Sequence, residues 1–320
     1  MTPNRGVRGP TRVPWVAAVS AVVLLALLAA FLSTVFPRTS VPGMTTPAYA
    51  SSPTASTRAK GPVNVLYAGS LVQTMEQVVG PRFDAATGYT FTGFSAGSDA
   101  LATQIKDGVQ KGDVFISASP DVNQELEGTA NGDWVTWYIT FATAPLVIGY
   151  NPKSTFVHDL KTQPWPEVVL KPGFLLGRTD PATDPKGKLA VTAMQQAAKR
   201  YKLAALATLA ASDNGEFPEE TLIGRLQAGQ LDAGFFYSAE AKAAGIPTVS
   251  LGPIKLSATY TVTVLNRAPD RAAALSFVSY LLGKKGRAAL ASQGFNLVKP
   301  PSVHGSRGKV PTALRPPGTG

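Results

Sequence analysis

Gly93-Phe94-Ser95-Ala96-Gly97 fits G-x-S-x-G, the nucleophile elbow in which a strand feeds a sharp turn and exposes a reactive serine at a helix start. One register along, Gly97-Ser98 precedes an apolar-periodic run and fits a helix cap. The first free N–H groups of such a helix and the hydroxyl beside them favour an anion. The same Gly-Ser pair stands 28 residues earlier, at Gly69-Ser70, again between an apolar run and a helical one. The bland reading of both pairs is ordinary capping. Two of them on one sheet edge would make a neutral, donor-rich pocket.

A hydrolase needs an acid and a histidine after the serine, and the chain has only His158 and His304. His304 lies in a Pro- and Gly-rich stretch where no packed shell is expected. His158 would need Asp113, Asp121 or Asp133 as its acid. Only one apolar strand precedes Ser95 in the folded part, so the elbow reading is weak. Further along, "TDPATDPKG" (179–187) is a turn-rich loop between a strand and a helix. There Asp184 is a candidate cap, ligand or gate, and Lys186 a candidate charge. Tyr237 closes "AGFFY" and could present its phenol to a cleft. Two histidines and no cysteine leave only carboxylates for a metal. Glu216, Glu219 and Glu220 in "NGEFPEET" read as a solvent-facing helix start, so no direct metal site is expected.

The elements that would position these residues alternate. "VNVLYAG", "YTFTGF" and "GDVFISAS" read as strands, separated by helical periods at Leu71, Met75, Val78, Val79 and Phe83, and at Leu101, Ile105 and Val109. Strand–helix–strand–helix–strand in under 60 residues implies a parallel sheet. A long β-rich run (137–151) leads into a second α/β stretch: "FLLGRTDPATD", a helix to Tyr201, a helix from Glu219 to Ala228, and the strand "DAGFFYS". "TVSLG", the β-rich 257–266 and a helical 270–291 follow. The expected architecture is two α/β lobes, each a mostly parallel sheet flanked by helices, crossed twice by the chain. A site would then lie between them, outside the carboxyl ends of the strands.

The net charge of +10 belongs to the ends. Five arginines in 1–58 and four cations in 299–320, with no acid in either stretch, leave only +1 for the rest, so no nucleic-acid footprint is read. The absence of cysteine excludes disulfides, thiolate chemistry and lipidation through a cysteine. Arg5, Arg8 and Arg12 precede 22 uncharged residues from Trp15 to Phe36, enough to span a bilayer with the remainder outside. Ala48-Tyr49-Ala50 offers signal cleavage as the alternative. The expected organisation is a basic flank and anchor or signal (1–36), a flexible linker (37–61), a first lobe (62–141 and 263–298), a second lobe (142–262) and a disordered basic tail (299–320).

Taken together, "VLYAGSL", "GSDALATQIKDGVQKGDVFISAS", "WYITFATAPLVIGYN", "TDPATDPKG" and "LDAGFFYSAEAKAAG" resemble the binding proteins of molybdate and tungstate ABC transporters over about residues 62–298. The resemblance implies a type II periplasmic-binding-protein clamp, no enzymatic activity and no cofactor. It also implies a permease partner, a small inorganic anion as ligand and a monomer held at the outer face of the membrane or secreted. Carried over, the oxyanion-binding serines fall on Ser70 and Ser98, with Gly69 and Gly97 beside them. The tyrosine falls on Tyr237 and the second-lobe loop on 180–187 with Asp184. Two positions depart from the pattern. Phe236 stands where part of the family has a metal-completing glutamate, and Lys186 where a small residue is usual. Simple tetrahedral binding is therefore expected, with sulfate, phosphate, iron or a small organic anion as alternative ligands.

Overall fold

The computed structural model describes residues 60–315. The expected anchor and most of the linker lie outside them, and no helix among the described residues is long and apolar enough to cross a membrane.

Strand β1 (Pro62–Ala68) is buried along nearly its whole length, as a parallel strand covered on both faces must be. Alternate residues serve different cores. Val63, Val65 and Tyr67 pack with Met75, Phe83 and Phe277, while Leu66 packs with Leu101, Ile105 and Phe115 on the opposite face. β1 pairs in parallel with β2 (Thr90–Ala96) and β3 (Val114–Ser117). The second half repeats the scheme with β5 (Leu176–Thr179), β6 (Glu216–Phe217) and β7 (Ala233–Tyr237), where β5 is parallel to both neighbours.

The joints are antiparallel. β4 (Trp137–Tyr150) pairs through Ile139–Pro145 with β9 (Ser257–Val264) and through Leu146–Tyr150 with β7. β9 in turn pairs with β3, which gives the order β2-β1-β3-β9-β4-β7-β5-β6. The short β8 (Thr248–Ser250) adds to β4. Two long strands, β4 and β9, therefore carry the chain between the halves.

The C-terminal stretch departs from the expectation of disorder. β10 (Asn296–Gly305) pairs antiparallel with β4, with an irregularity between Leu297 and Ser302 that accommodates Pro300 and Pro301. Val310 and Leu314 are buried beyond it. His304 is exposed but ordered by two contacts: its ring stacks on Tyr138 at 4.8 Å, and Nε2 lies 3.2 Å from Thr140 Oγ1.

Candidate functional site

Parallel pairing fixes where the two Gly-Ser pairs go. Ala68 and Ala96 are register partners at the ends of β1 and β2, so Gly69-Ser70 and Gly97-Ser98 leave the sheet side by side at its carboxyl edge. The edge continues through β5 and β7, which end at Thr179 and Tyr237. The strand ends of both halves thus present the turns that carry chemistry.

Neither serine is the cap that its sequence position implied. Gly97, extended at φ −55° and ψ 138°, is the N-cap of the helix Ser98–Lys106, and Ser98 is its first helical residue. Ser70 likewise lies inside the single turn Gly69–Leu71, which has no side-chain cap bond. Both hydroxyls are therefore released from capping. Ser98 Oγ accepts from the Ala118 amide at 3.1 Å and keeps its own proton to donate. Ser70 Oγ lies 3.0 Å from the Tyr260 hydroxyl on β9.

The second half contributes a charged cluster. Asp184 caps the helix Pro185–Tyr201 and accepts from the Lys186 amide at 2.6 Å. The helix then turns the Lys186 side chain fully inside. Its Nζ donates to Glu219 Oε1 at 2.8 Å and Glu240 Oε1 at 2.7 Å. Glu240, at the third position of the helix Ser238–Ala243, also accepts from the Tyr237 amide at 3.1 Å through its other oxygen. The Tyr237 hydroxyl is buried with no hydrogen-bond partner among the described residues, a costly state for a phenol.

These surroundings shift the titrations. Burial, reinforced by the Glu219 charge, pushes Asp184 up to about 7. Burial likewise pushes Glu240 up to about 7, against the pull of Lys186. Burial disfavours the Lys186 ammonium, but the charges of Glu219, Glu240 and Asp184 outweigh it and hold the pKa above its ordinary value. Burial also raises Tyr237, which stays a neutral donor.

The halves touch at two glycines. A Cβ on Gly97 would lie 2.3 Å from the Thr183 carbonyl oxygen, and that carbonyl accepts from the Ala100 amide at 3.1 Å. A Cβ on Gly69 would lie 1.9 Å from Glu219 Oε2. Lys188 Nζ reaches Asp99 Oδ1 at 2.6 Å across the same seam. Outside it lies an open cleft of about 520 Å³, lined by Gly97, Ala100, Asp180, Thr183, Phe217 and Glu219.

Five of the seven expected residues border one seam, while the Ser98 hydroxyl is turned to Ala118 and the Tyr237 ring meets Tyr260 edge-on. Gly97 and Asp184 meet directly, Gly69 reaches Lys186 through Glu219, and Ser70 joins through Tyr260. Glu219, Glu240 and Tyr260 were missed. Glu219 is 6 % exposed, not solvent-facing as its acidic helix-start context implied, whereas its neighbour Glu220 is exposed. Among the described residues no group of His, Asp or Glu side chains is arranged to hold a metal ion, and the acidic cage encloses Lys186 instead. Phe236 points away from Tyr237 into a cluster with Leu222, Leu226 and Leu231. Ser95 sits within β2 opposite Tyr67, whose hydroxyl is bound by Glu76. β2 and the β4 strand beside His304 are four strand spacings apart, about 19 Å, so no Ser95–His304 pair forms.

The chain is similar to proteins of known kind. An ABC transporter molybdenum-binding protein, so named, from Haloferax volcanii is 32% identical over 224 residues, 69% of this chain and 66% of the relative. The molybdate/tungstate-binding protein WtpA of Thermococcus kodakarensis is 23% identical, over 66% of this chain and 74% of the relative. The periplasmic molybdate-binding protein of Azotobacter vinelandii shares the fold, at a TM-score of 0.59 and 22% identity, over 74% of this chain and 99% of that one. The fold is thus the two-lobed α/β clamp of type II binding proteins, and the elbow-like G-x-S-x-G belongs to a transport protein and not to an enzyme. The family described as bacterial extracellular solute-binding proteins matches residues 63–296, and the chain belongs to it.

Proposed function

We propose that the protein is the substrate-binding component of an ABC importer and takes a tetrahedral oxyanion, with molybdate or tungstate as first choice. The observation that carries this reading is the register of Ala68 with Ala96, which sets two serine-bearing helix starts side by side and opposite Asp184, Lys186 and Tyr237. The names of the Haloferax, Thermococcus and Azotobacter relatives support the choice of metal. A dianion there meets the hydroxyls of Ser70, Ser98 and Tyr237, backbone N–H groups at Gly69 and Gly97, and the Lys186 ammonium. Charge-assisted hydrogen bonds of this kind hold an oxyanion without a full countercharge. Phe236 supplies no oxygen ligand, which favours four-coordinate binding.

In this reading the lobes, 62–141 with 263–298 and 142–262, close about β4 and β9, and the closed form is what a permease docks. Residues 15–36 direct export, as an anchor that tethers the binding protein outside the membrane or as a signal that is cleaved. Ser70→Ala and Ser98→Ala should each weaken molybdate binding by about 1–3 kcal/mol, as read by calorimetric titration. Ser98→Ala also orphans the Ala118 amide and should lower the melting temperature, which Ser70→Ala should do less. Ser95→Ala should change neither. Unchanged affinity in both of the first two variants would remove the serines from the site.

A further inference from the structure

The cluster around Lys186 is buried and acidic before any solute arrives. Two carboxylates, Glu219 and Glu240, bind the one ammonium, Asp184 lies beside it on the Lys186 amide, and all four side chains are buried. A dianion added to this arrangement would join a site that is already negative, in a low-dielectric setting where like charges repel strongly. Protonation relieves part of this repulsion, displacement of a carboxylate relieves more, and the geometry singles out which carboxylate can move.

Glu240 is fixed at both ends: one oxygen holds Lys186 and the other accepts from the Tyr237 amide at the start of its own helix. Asp184 is fixed by its cap bond to the Lys186 amide, with Thr179 Oγ1 at 3.3 Å from the same oxygen. Glu219 is different. Among the described residues its carboxylate has one hydrogen-bonded partner, the Lys186 ammonium, and its second oxygen lies against Gly69, where the first helix begins. It belongs to the first turn of the helix Glu219–Gln227 and also lines the open cleft. Of the three carboxylates it is the one that stands on the wall of that cleft.

We propose that Glu219 is a tethered stand-in for the solute: its carboxylate occupies the oxyanion position between Gly69 and Lys186, and the incoming dianion displaces it. This inference rests on the oxyanion reading above and adds a specificity device to it. Lys186 then exchanges one anionic partner for another, so it is never left uncompensated while buried. Apparent affinity is reduced by the fraction of molecules in which Glu219 occupies the position, the usual cost of a competent state that is only partly populated. Only a ligand that outcompetes a carboxylate for Lys186 enters the seam. The unpartnered Tyr237 hydroxyl fits this exchange, since it gains an acceptor when a solute with more oxygens than a carboxylate enters.

The test is a calorimetric titration of the full chain with molybdate, comparing wild type with Glu219→Gln and Glu220→Gln. Glu220 is the exposed neighbour and controls for loss of one negative charge at the cleft mouth. Glu219→Gln should bind at least roughly tenfold more tightly, with Glu220→Gln within about twofold of wild type, and Lys186→Met in the Glu219→Gln background should abolish the gain. Equal or weaker binding by Glu219→Gln, while wild type binds, would overturn the inference and leave the oxyanion reading standing. No binding of molybdate, tungstate or sulfate by any of these proteins would overturn both. Should Glu219→Gln fail to fold, a crystal structure of the wild-type chain with molybdate decides. The oxyanion must contact Lys186 Nζ with Glu219 turned out into the cleft, and Glu219 still seated against Gly69 would end the proposal.

Discussion

The Lys186→Met chain should melt well below wild type and lose its response to molybdate. Methionine keeps most of the buried aliphatic volume but removes the ammonium. Glu219, Glu240 and Asp184 would then share a closed site with no countercharge. Breaking a buried ion pair from one side costs about 3–5 kcal/mol, because the charge left behind is uncompensated. For a body of this size that is a fall of roughly 6–20 °C in melting temperature. The loss should also depend on pH. Asp184 and Glu240 already have folded-state values near 7, above their ordinary carboxylate range. An acid with a raised folded-state pKa binds its proton more tightly folded than unfolded. Its contribution to stability therefore falls as pH rises from about 4 to about 7 and stays low above that. Without Lys186 the carboxylates must take up more protons, so the deficit should be largest near pH 8 and should shrink towards pH 5. Adding Glu240→Gln to Lys186→Met should recover part of the loss, a coupling that a double-mutant cycle reads directly. A melting temperature unchanged by Lys186→Met at pH 8 would show that the cluster does not carry the charge assigned to it.

The second large effect is expected at Gly97. Valine there would drive Cβ to within 2.3 Å of the Thr183 carbonyl oxygen and 3.1 Å of Asp184 Cβ, and the closer of these is backbone that cannot rotate aside. The loop 180–184 must withdraw, separating Asp184 and Lys186 from the two serine turns. Overpacking of this kind costs about 1–3 kcal/mol. Here that cost falls on closure, because Gly97 has an ordinary negative φ and the three atoms nearest a built Cβ all belong to the facing loop. Gly97→Val should therefore bind molybdate about 5- to 150-fold more weakly with little change in melting temperature. Gly224 has nothing within 4 Å of a built Cβ, so Gly224→Ala is the matched control and should bind as wild type. A Gly97→Val protein with wild-type affinity would mean that the seam is not the ligand site.

Much of the frame was legible because it is written in local pattern. β1, β3 and β7 are short apolar runs followed by helix starts, and no tertiary knowledge is needed to place two Gly-Ser turns on the same edge. The Ser98 cap was misplaced by one residue, since Gly97 carries the extended conformation, and the Ser70 cap by two, since Ala68 does, boundaries that pattern alone does not resolve. β10 was illegible for a physical reason. Pro300 and Pro301 cannot donate to a ladder, the run has little apolar alternation, and its strand state comes from the edge that β4 offers. Glu219 and Glu240 were hidden differently. An acid in the first turn of a helix suits the dipole and ordinarily faces water. Only the inward course of Lys186, set by the helix that Asp184 caps, turns two such acids into partners in a buried cluster.

The most direct test of an oxyanion clamp at this seam is a calorimetric titration of the chain with molybdate, tungstate, sulfate and phosphate, at pH 6 and pH 8. Molybdate or tungstate should bind one to one in the nanomolar-to-micromolar range, and more tightly at pH 6. Asp184 and Glu240, with values near 7, are more fully protonated there and repel a dianion less. No saturable binding of molybdate or tungstate at either pH would contradict the account.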